Sequence, residues 1–211
     1  MKKLPLLLFI ITTITSVNIS AQVNVKSKTD KLKYGIKVGV NFANVEESPT
    51  PTINIKQSIG ITGGAFVTIP IDSNFSIQPE ILYSQMGATI SNGSIYNREA
   101  KLVLSYIDVP ILAKYDFTKS FGIYGGPQIG FLNSAVFKSP DSMTDYPNTD
   151  FSKNVKKLDL RAIVGADLHF SEVMYLSGRF QLGLVNVSSS TNGVTDKNNA
   201  ITLTLNIMLS Y

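Results

Sequence analysis

The chain has 211 residues, of which 16% are charged and 44% hydrophobic, with no cysteine and one histidine. This composition excludes a disulfide framework and a thiolate metal site, and it leaves little room for a zinc site or a histidine-dependent catalytic triad. The net charge of +4 comes without any Lys/Arg-rich stripe, so nothing indicates nucleic-acid binding.

The N-terminus has the pattern of a secretory signal peptide, predicted over residues 1–21. Lys2 and Lys3 form the positive start, residues 4–14 form a short apolar core, and Ser20 and Ala21 supply small residues before the cleavage site. The core is too short for a membrane-spanning helix. Residues 22–33 are polar and lysine-rich, which predicts a flexible periplasmic lead-in before a barrel domain over residues 34–211.

From residue 34 onward, apolar and polar residues alternate in eight segments. Side chains of a strand point to opposite faces with period 2, so each segment predicts a strand with one apolar face. The last segment is the clearest, because every second residue from Ile201 to Tyr211 is apolar. In chain order the predicted strands are 34–43, 58–71, 75–91, 100–117, 121–137, 156–170, 174–187 and 200–211.

The connections alternate in length. Long polar segments follow the first, third, fifth and seventh predicted strands, whereas short turns follow the second, fourth and sixth. Outer-membrane barrels have this asymmetry, with short periplasmic turns, longer external loops and an even strand number. Lipid cannot satisfy an open strand edge, so the sheet must close. The sequence therefore predicts an all-β, eight-stranded antiparallel transmembrane β-barrel.

The polar faces of the predicted strands carry charged residues. An eight-stranded barrel has an interior just wide enough for side chains, and buried charges must be paired. We therefore expect a structural ion-pair network in which Arg161 and Arg179 bridge carboxylates. A narrow path for water or protons, or a ligand pocket, is the alternative. The expected members are Lys37, Glu80, Asp108, Lys114, Asp159, Arg161, Asp167 and Arg179.

No arrangement of residues predicts catalysis, a cofactor or a metal site. His169 has no second histidine or serine partner in view, so we expect a rim or lumen side chain rather than a base. Asp141, Asp145 and Asp150 lack the spacing of a helix-loop-helix Ca²⁺ loop and indicate a solvated acidic loop. Tyr146, Pro147 and Phe151 in the same segment could contact a partner or fold back on the rim.

Two segments resemble a known family. SYIDVPILAKYDF, residues 105–117, and FGIYGGPQIGFL, residues 121–132, resemble the PorT-like outer-membrane β-barrel proteins of Gram-negative bacteria. The resemblance implies a small barrel in the outer membrane, in contact with its lipid. The terminal aromatic Tyr211 resembles the signal read by the barrel assembly machinery, which implies that partner during biogenesis.

These observations predict an outer-membrane protein with a structural or interaction role at the cell envelope and no enzymatic activity. Its loops would face outward toward an envelope protein partner. Two alternatives stay open at this point. One is a narrow channel for small solutes or water, and the other is a soluble periplasmic barrel whose apolar faces line a cavity for an apolar ligand.

Overall fold

The computed structural model describes residues 32–48, 54–91, 99–138, 149–150, 152, 155–187 and 195–210. Within these ranges no helix is long and apolar enough to cross a membrane. The structure consists of strands joined by turns and irregular segments. The strands are β1 (Lys33–Ser48), β2 (Asn54–Pro70), β3 (Phe75–Ser91), β4 (Glu99–Asp116), β5 (Phe121–Lys138), β6 (Thr149–Asp150), β7 (Leu158–His169), β8 (Met174–Gly183) and β9 (Thr195–Met208).

The strands close into a barrel. Neighbours in the sheet follow the order β4-β3-β2-β1-β9-β8-β7-β5, and a further pairing of β4 with β5 completes the ring. Every one of these pairs is antiparallel. The two-residue β6 lies outside the ring and pairs only with the end of β5. The predicted eight-stranded antiparallel barrel is confirmed.

Several predicted strand ends were wrong. The segment 44–57 was predicted as one loop, but β1 continues to Ser48 and β2 begins at Asn54. Likewise β9 begins at Thr195 rather than at residue 200, and the short β6 was not predicted. In the extended part of β1 the backbone still pairs with β9, from Asn44 opposite Asn199 to Ser48 opposite Thr195. The apolar alternation is weaker there, so the ladder has no sequence signature.

The two faces of the barrel have opposite chemistry. Large apolar side chains are exposed on the outside, as lipid contact requires. A soluble barrel with an apolar cavity would have these side chains inside. Near the short turns, the rings of Phe117 and Phe121 stack with centroids 6.1 Å apart, and Tyr115 meets Phe117 edge-on. Exposed residues of the apolar face include Val38, Ile61, Ile81, Ile111, Val164 and Leu203.

The polarity of the side chains inside the barrel changes along the barrel axis. At the end near the long loops an apolar cluster fills the interior. Polar and charged side chains fill most of the rest, together with a smaller apolar cluster of Leu112, Tyr124 and Ile163. Val155, which precedes β7, is buried in the cluster near the long loops. This larger cluster separates the polar interior from the loop side. Its buried members are Ala43, Met86, Leu104, Tyr106, Ala135, Val155 and Ala200.

Candidate functional site in the barrel lumen

The lumen contains all eight charged residues expected there. Each is buried, with at most 5% of its surface exposed. Four are basic and four are acidic, so their formal charges cancel. They come from five different strands, each of which points every second side chain into the lumen. The residues are Lys37 of β1, Glu80 of β3, Asp108 and Lys114 of β4, Asp159, Arg161 and Asp167 of β7, and Arg179 of β8.

Arg161, Asp108 and Asp159 form an outer cluster, nearer the long loops. Nη2 of Arg161 lies 2.8 Å from Oδ1 of Asp108, and its Nε lies 3.0 Å from Oδ2 of Asp159. Nη1 also donates to Oε1 of Gln181 at 2.9 Å. The guanidinium lies over the ring of Tyr106, 5.1 Å from its centroid. Two carboxylates therefore share one guanidinium.

Lys37, Glu80 and Arg179 form an inner cluster, nearer the short turns. Nζ of Lys37 lies 2.5 Å from Oε1 of Glu80, and Nη1 of Arg179 lies 3.1 Å from its Oε2. Gln78 donates to the same carboxylate at 2.7 Å. Here two cations share one carboxylate, the reverse of the outer cluster. The two clusters carry opposite excess charge, which cancels over the whole lumen.

A third ion pair lies beside aromatic rings on the short-turn side. Nζ of Lys114 lies 2.5 Å from Oδ2 of Asp167 and 4.9 Å from the ring centroid of Tyr175. The ring of His169 stacks on Tyr175 with centroids 4.5 Å apart. Tyr175 also meets Phe66 edge-on, with centroids 6.1 Å apart. Ion pairs and rings together block the short-turn end of the lumen.

Glycines make room for this network. A Cβ on Gly130 of β5 would lie 2.6 Å from Nη2 of Arg161 and 2.7 Å from Oδ1 of Asp108. A Cβ on Gly165 of β7 would lie 2.5 Å from Cζ of Tyr124. At these points a side chain can run over the inner face of the intervening strand, because the glycine there has no side chain.

Neutral polar residues extend the hydrogen-bond network of the outer cluster, and they were not among the residues predicted for the network. Gln128 donates to Gln181 at 3.1 Å, Gln181 to Thr202 at 2.6 Å, and Thr202 to Asn41 at 2.7 Å. Asn198 donates to Asp159 at 2.9 Å. All occupy inward positions of their strands. The alternation places most of them on the polar faces of their strands, but the network was predicted from charged residues alone.

The remaining sequence candidates take no part in the ion pairs or lie outside the described ranges. His169 ends β7 at the short-turn side, and its Nε2 has no hydrogen-bond partner among the described residues. Asp150 is exposed and accepts from the amide of Ser152 at 2.9 Å. No group of three or more His, Asp or Glu residues within the described chain could hold a metal ion. Several predictions fall outside the described residues: the predicted signal peptide, most of the predicted lead-in, Asp141, Asp145, Tyr146, Pro147, Phe151 and Tyr211.

The comparisons with known proteins agree with this architecture. The chain is similar in fold to the Neisserial surface protein NspA, with a TM-score of 0.50, 12% identity, and 84% of this chain and 99% of that chain covered. Ail of Yersinia pestis has a TM-score of 0.45 and 10% identity, with 84% of this chain and 99% of that chain covered. OprG of Pseudomonas aeruginosa has a TM-score of 0.38 and 11% identity, with 84% of this chain and 91% of that chain covered. No curated protein matches the sequence.

A family model described as "Outer membrane protein beta-barrel domain" matches residues 20–189, which is most of the chain. Closed antiparallel topology, an apolar outer face and a polar lumen are the features that such a domain requires. The chain belongs to the outer membrane protein β-barrel domain family and is an outer-membrane β-barrel protein.

Proposed function

We propose that this protein is a closed, non-conducting barrel with a structural or interaction role at the bacterial cell envelope, without catalysis. Its rigid wall holds the longer loops on the outer surface, where an envelope protein partner binds. The observation that carries the proposal is the filled lumen. Ion pairs cross it at two levels, through Arg161 and through Glu80.

The filled cross-section favours this role over a channel. Arg161 reaches from β7 past β5 to Asp108 on β4. Glu80 on β3 joins Lys37 on β1 to Arg179 on β8. Wide aqueous channels belong to barrels of about sixteen strands or more. Above the ion pairs, the apolar cluster around Leu104 and Val155 adds a second filled layer.

Conductance tests the closed lumen. The purified barrel in planar lipid bilayers should give no steady current. An Arg161→Gly, Gln181→Gly double variant removes two large side chains from one layer and controls for detection. A steady conductance of the wild-type protein, equal to that of the variant, would contradict the closed lumen and indicate a channel.

An interaction role is tested by exchanging loops. Outer membranes would be solubilised mildly after chemical crosslinking, and the barrel isolated with whatever is bound. Replacing residues 139–148 by a Gly-Ser linker should remove a co-isolated envelope protein, whereas replacing residues 171–173 of a short turn should not. Recovery of the barrel alone from crosslinked and uncrosslinked membranes would contradict an interaction role.

We further propose that the chain falls in the PorT-like branch of the family and is assembled by the barrel assembly machinery. The segments 105–117 and 121–132 support the branch, and the terminal aromatic supports the assembly partner. Tyr211→Ala should lower the amount of assembled barrel in outer membranes, and Lys197→Ala in the same strand should not. Equal assembly of the two variants would remove Tyr211 as the signal.

A further inference from the structure

The short-turn end of the barrel contains a cavity of about 690 Å³. Three turns surround it: residues 71–74 between β2 and β3, 117–120 between β4 and β5, and 170–173 between β7 and β8. Short turns of outer-membrane barrels face the periplasm, so this cavity, here called the vestibule, opens to that compartment. Its size falls within the range of ligand pockets.

The vestibule ends blindly. His169 lies in its lining, and the ring of His169 stacks on Tyr175, which is 1% exposed. Lys114 packs against the same ring and pairs with Asp167. A molecule entering from the periplasm therefore meets a closed floor, which suits binding rather than passage.

The rim of the vestibule is held by local hydrogen bonds. The hydroxyl of Thr118 accepts from the amides of Ser120 and Phe121 at 3.2 and 3.0 Å. The amide of His169 donates to the carbonyl of Ser120 at 2.8 Å, which ties β7 to the neighbouring turn. A rim ordered in advance loses less conformational entropy when a ligand binds.

The lining carries both charges in equal number. Lys33 and Lys119 are basic, Asp116 and Glu172 are acidic, and most of the other lining residues bear hydroxyl or amide groups. Within the described chain, Oδ1 of Asp116 and Nε2 of His169 are buried without a hydrogen-bond partner. One aromatic residue, Phe170, is the large apolar group of the lining. This chemistry fits a small molecule with both an ammonium and a carboxylate, and it does not fit a lipid tail.

We propose that the vestibule binds a short peptide with free termini, whose ammonium is held by Asp116 and whose carboxylate is held by Lys119. Such peptides occur in the periplasm as stem peptides of the cell wall and as products of proteolysis. The site lies at the opposite end of the barrel from the long loops. An experiment that finds no peptide binding at this site therefore leaves the proposed interaction role of the loops untouched, and the reverse also holds.

Calorimetric titration of the refolded full barrel tests the site. Tetraalanine with free termini should bind at least tenfold more tightly than tetraalanine that is acetylated and amidated. The tripeptide L-Ala-γ-D-Glu-diaminopimelate separates the two sources. Tighter binding than tetraalanine assigns the site to cell-wall peptides, and equal binding assigns it to peptides in general. Equal binding of the free and capped forms, or no binding of either free peptide, would overturn the proposal.

Variants assign the two charges. Asp116→Asn should weaken free tetraalanine at least fivefold and leave the N-acetylated form unchanged. Lys119→Gln should likewise weaken the binding of free tetraalanine at least fivefold and leave the binding of the C-amidated form unchanged. Lys101→Gln, which lies at the other end of the barrel and donates to the carbonyl of Ile59, controls for net charge. Each variant is first checked for the mobility shift of a folded barrel on heating. An equal loss with Lys101→Gln would contradict the site.

Discussion

Arg161 and Asp108 face each other across a strand that lies between them. Nη2 and Nη1 of Arg161 lie 2.8 and 3.3 Å from the two carboxylate oxygens of Asp108, although β5 separates β7 from β4 in the ring. Two parallel hydrogen bonds from a guanidinium to a carboxylate form a strong and directional pair. The pair clamps three strands, because Gly130 of β5 leaves the path open.

Arg161→Met should destabilise the barrel by about 3–5 kcal/mol, since it leaves Asp108 and Asp159 buried without their cation. The measurement is the free energy of unfolding in urea for the protein refolded in lipid. Lys156→Met at an exposed position is the control and should change little. An unchanged unfolding free energy and heat resistance for Arg161→Met would end the structural interpretation of the network.

Gly130→Ala should weaken the same pair without removing either charge. The added methyl group would lie 2.6 Å from Nη2 of Arg161 and force it to move. In an Arg161→Met background the same substitution should cost much less, which a double-mutant cycle measures. Gly178→Ala is the matched control, because its Cβ would meet Cδ2 of Leu203 at 3.5 Å, an ordinary contact. Strict additivity of Gly130→Ala and Arg161→Met would show that the glycine acts elsewhere.

Leu104→Ala should cost about 2–5 kcal/mol of unfolding free energy, because it opens a cavity in the apolar cluster at the loop side of the lumen. Leu203→Ala on the outer face should cost less, since lipid tails can fill the space that it vacates. The comparison is made by unfolding both variants in the same lipid. Equal costs would mean that the cluster is not tightly packed.

Val164→Lys should destabilise the inserted barrel by about 2–4 kcal/mol, because the side chain lies near the middle of β7 and is 62% exposed on the lipid face. Phe170→Lys at the turn end should cost about 0–1 kcal/mol of charge-related destabilisation, because the charge can reach the interface. The readout is the unfolding free energy in bilayers. The reverse order of the two costs would place the bilayer elsewhere along the strands.

The period-2 pattern predicted the number of barrel strands and the face of most residues, and the alternating connection lengths predicted the antiparallel order. A one-residue shift in the register of the strand would turn Arg161 or Glu80 toward lipid, so the pattern strongly specifies their orientation. The sequence did not predict which charged residues pair with each other, because the partners lie on strands that are distant in sequence. Glu80 and Arg179 are separated by 99 positions, and their contact depends on barrel closure and on the register of several ladders.

Beyond the apolar stripe, the alternation no longer predicts where the strands end. In the ends of β1 and β9 and in β6, backbone pairing continues without a lipid-facing stripe. The vestibule could not be predicted from the sequence either, since its lining comes from three separate turns, from the strand ends at Asp116 and His169, and from Lys33. The turn residues predict the turns, but their convergence follows from closure of the ring.

The ladder between β1 and β9 has a consequence for how the chain folds. Every other neighbour in the ring is adjacent or nearly adjacent along the sequence, whereas this ladder joins residues 35–48 to residues 195–208. Contacts between the two ends of a chain carry the largest loop-closure cost and form slowly. Among the barrel strands β1 is first in the sequence, and one of its edges has no partner until β9 pairs with it. The amides and carbonyls of that edge stay unpaired throughout this interval, and we expect closure of this ladder to be the slow step of folding.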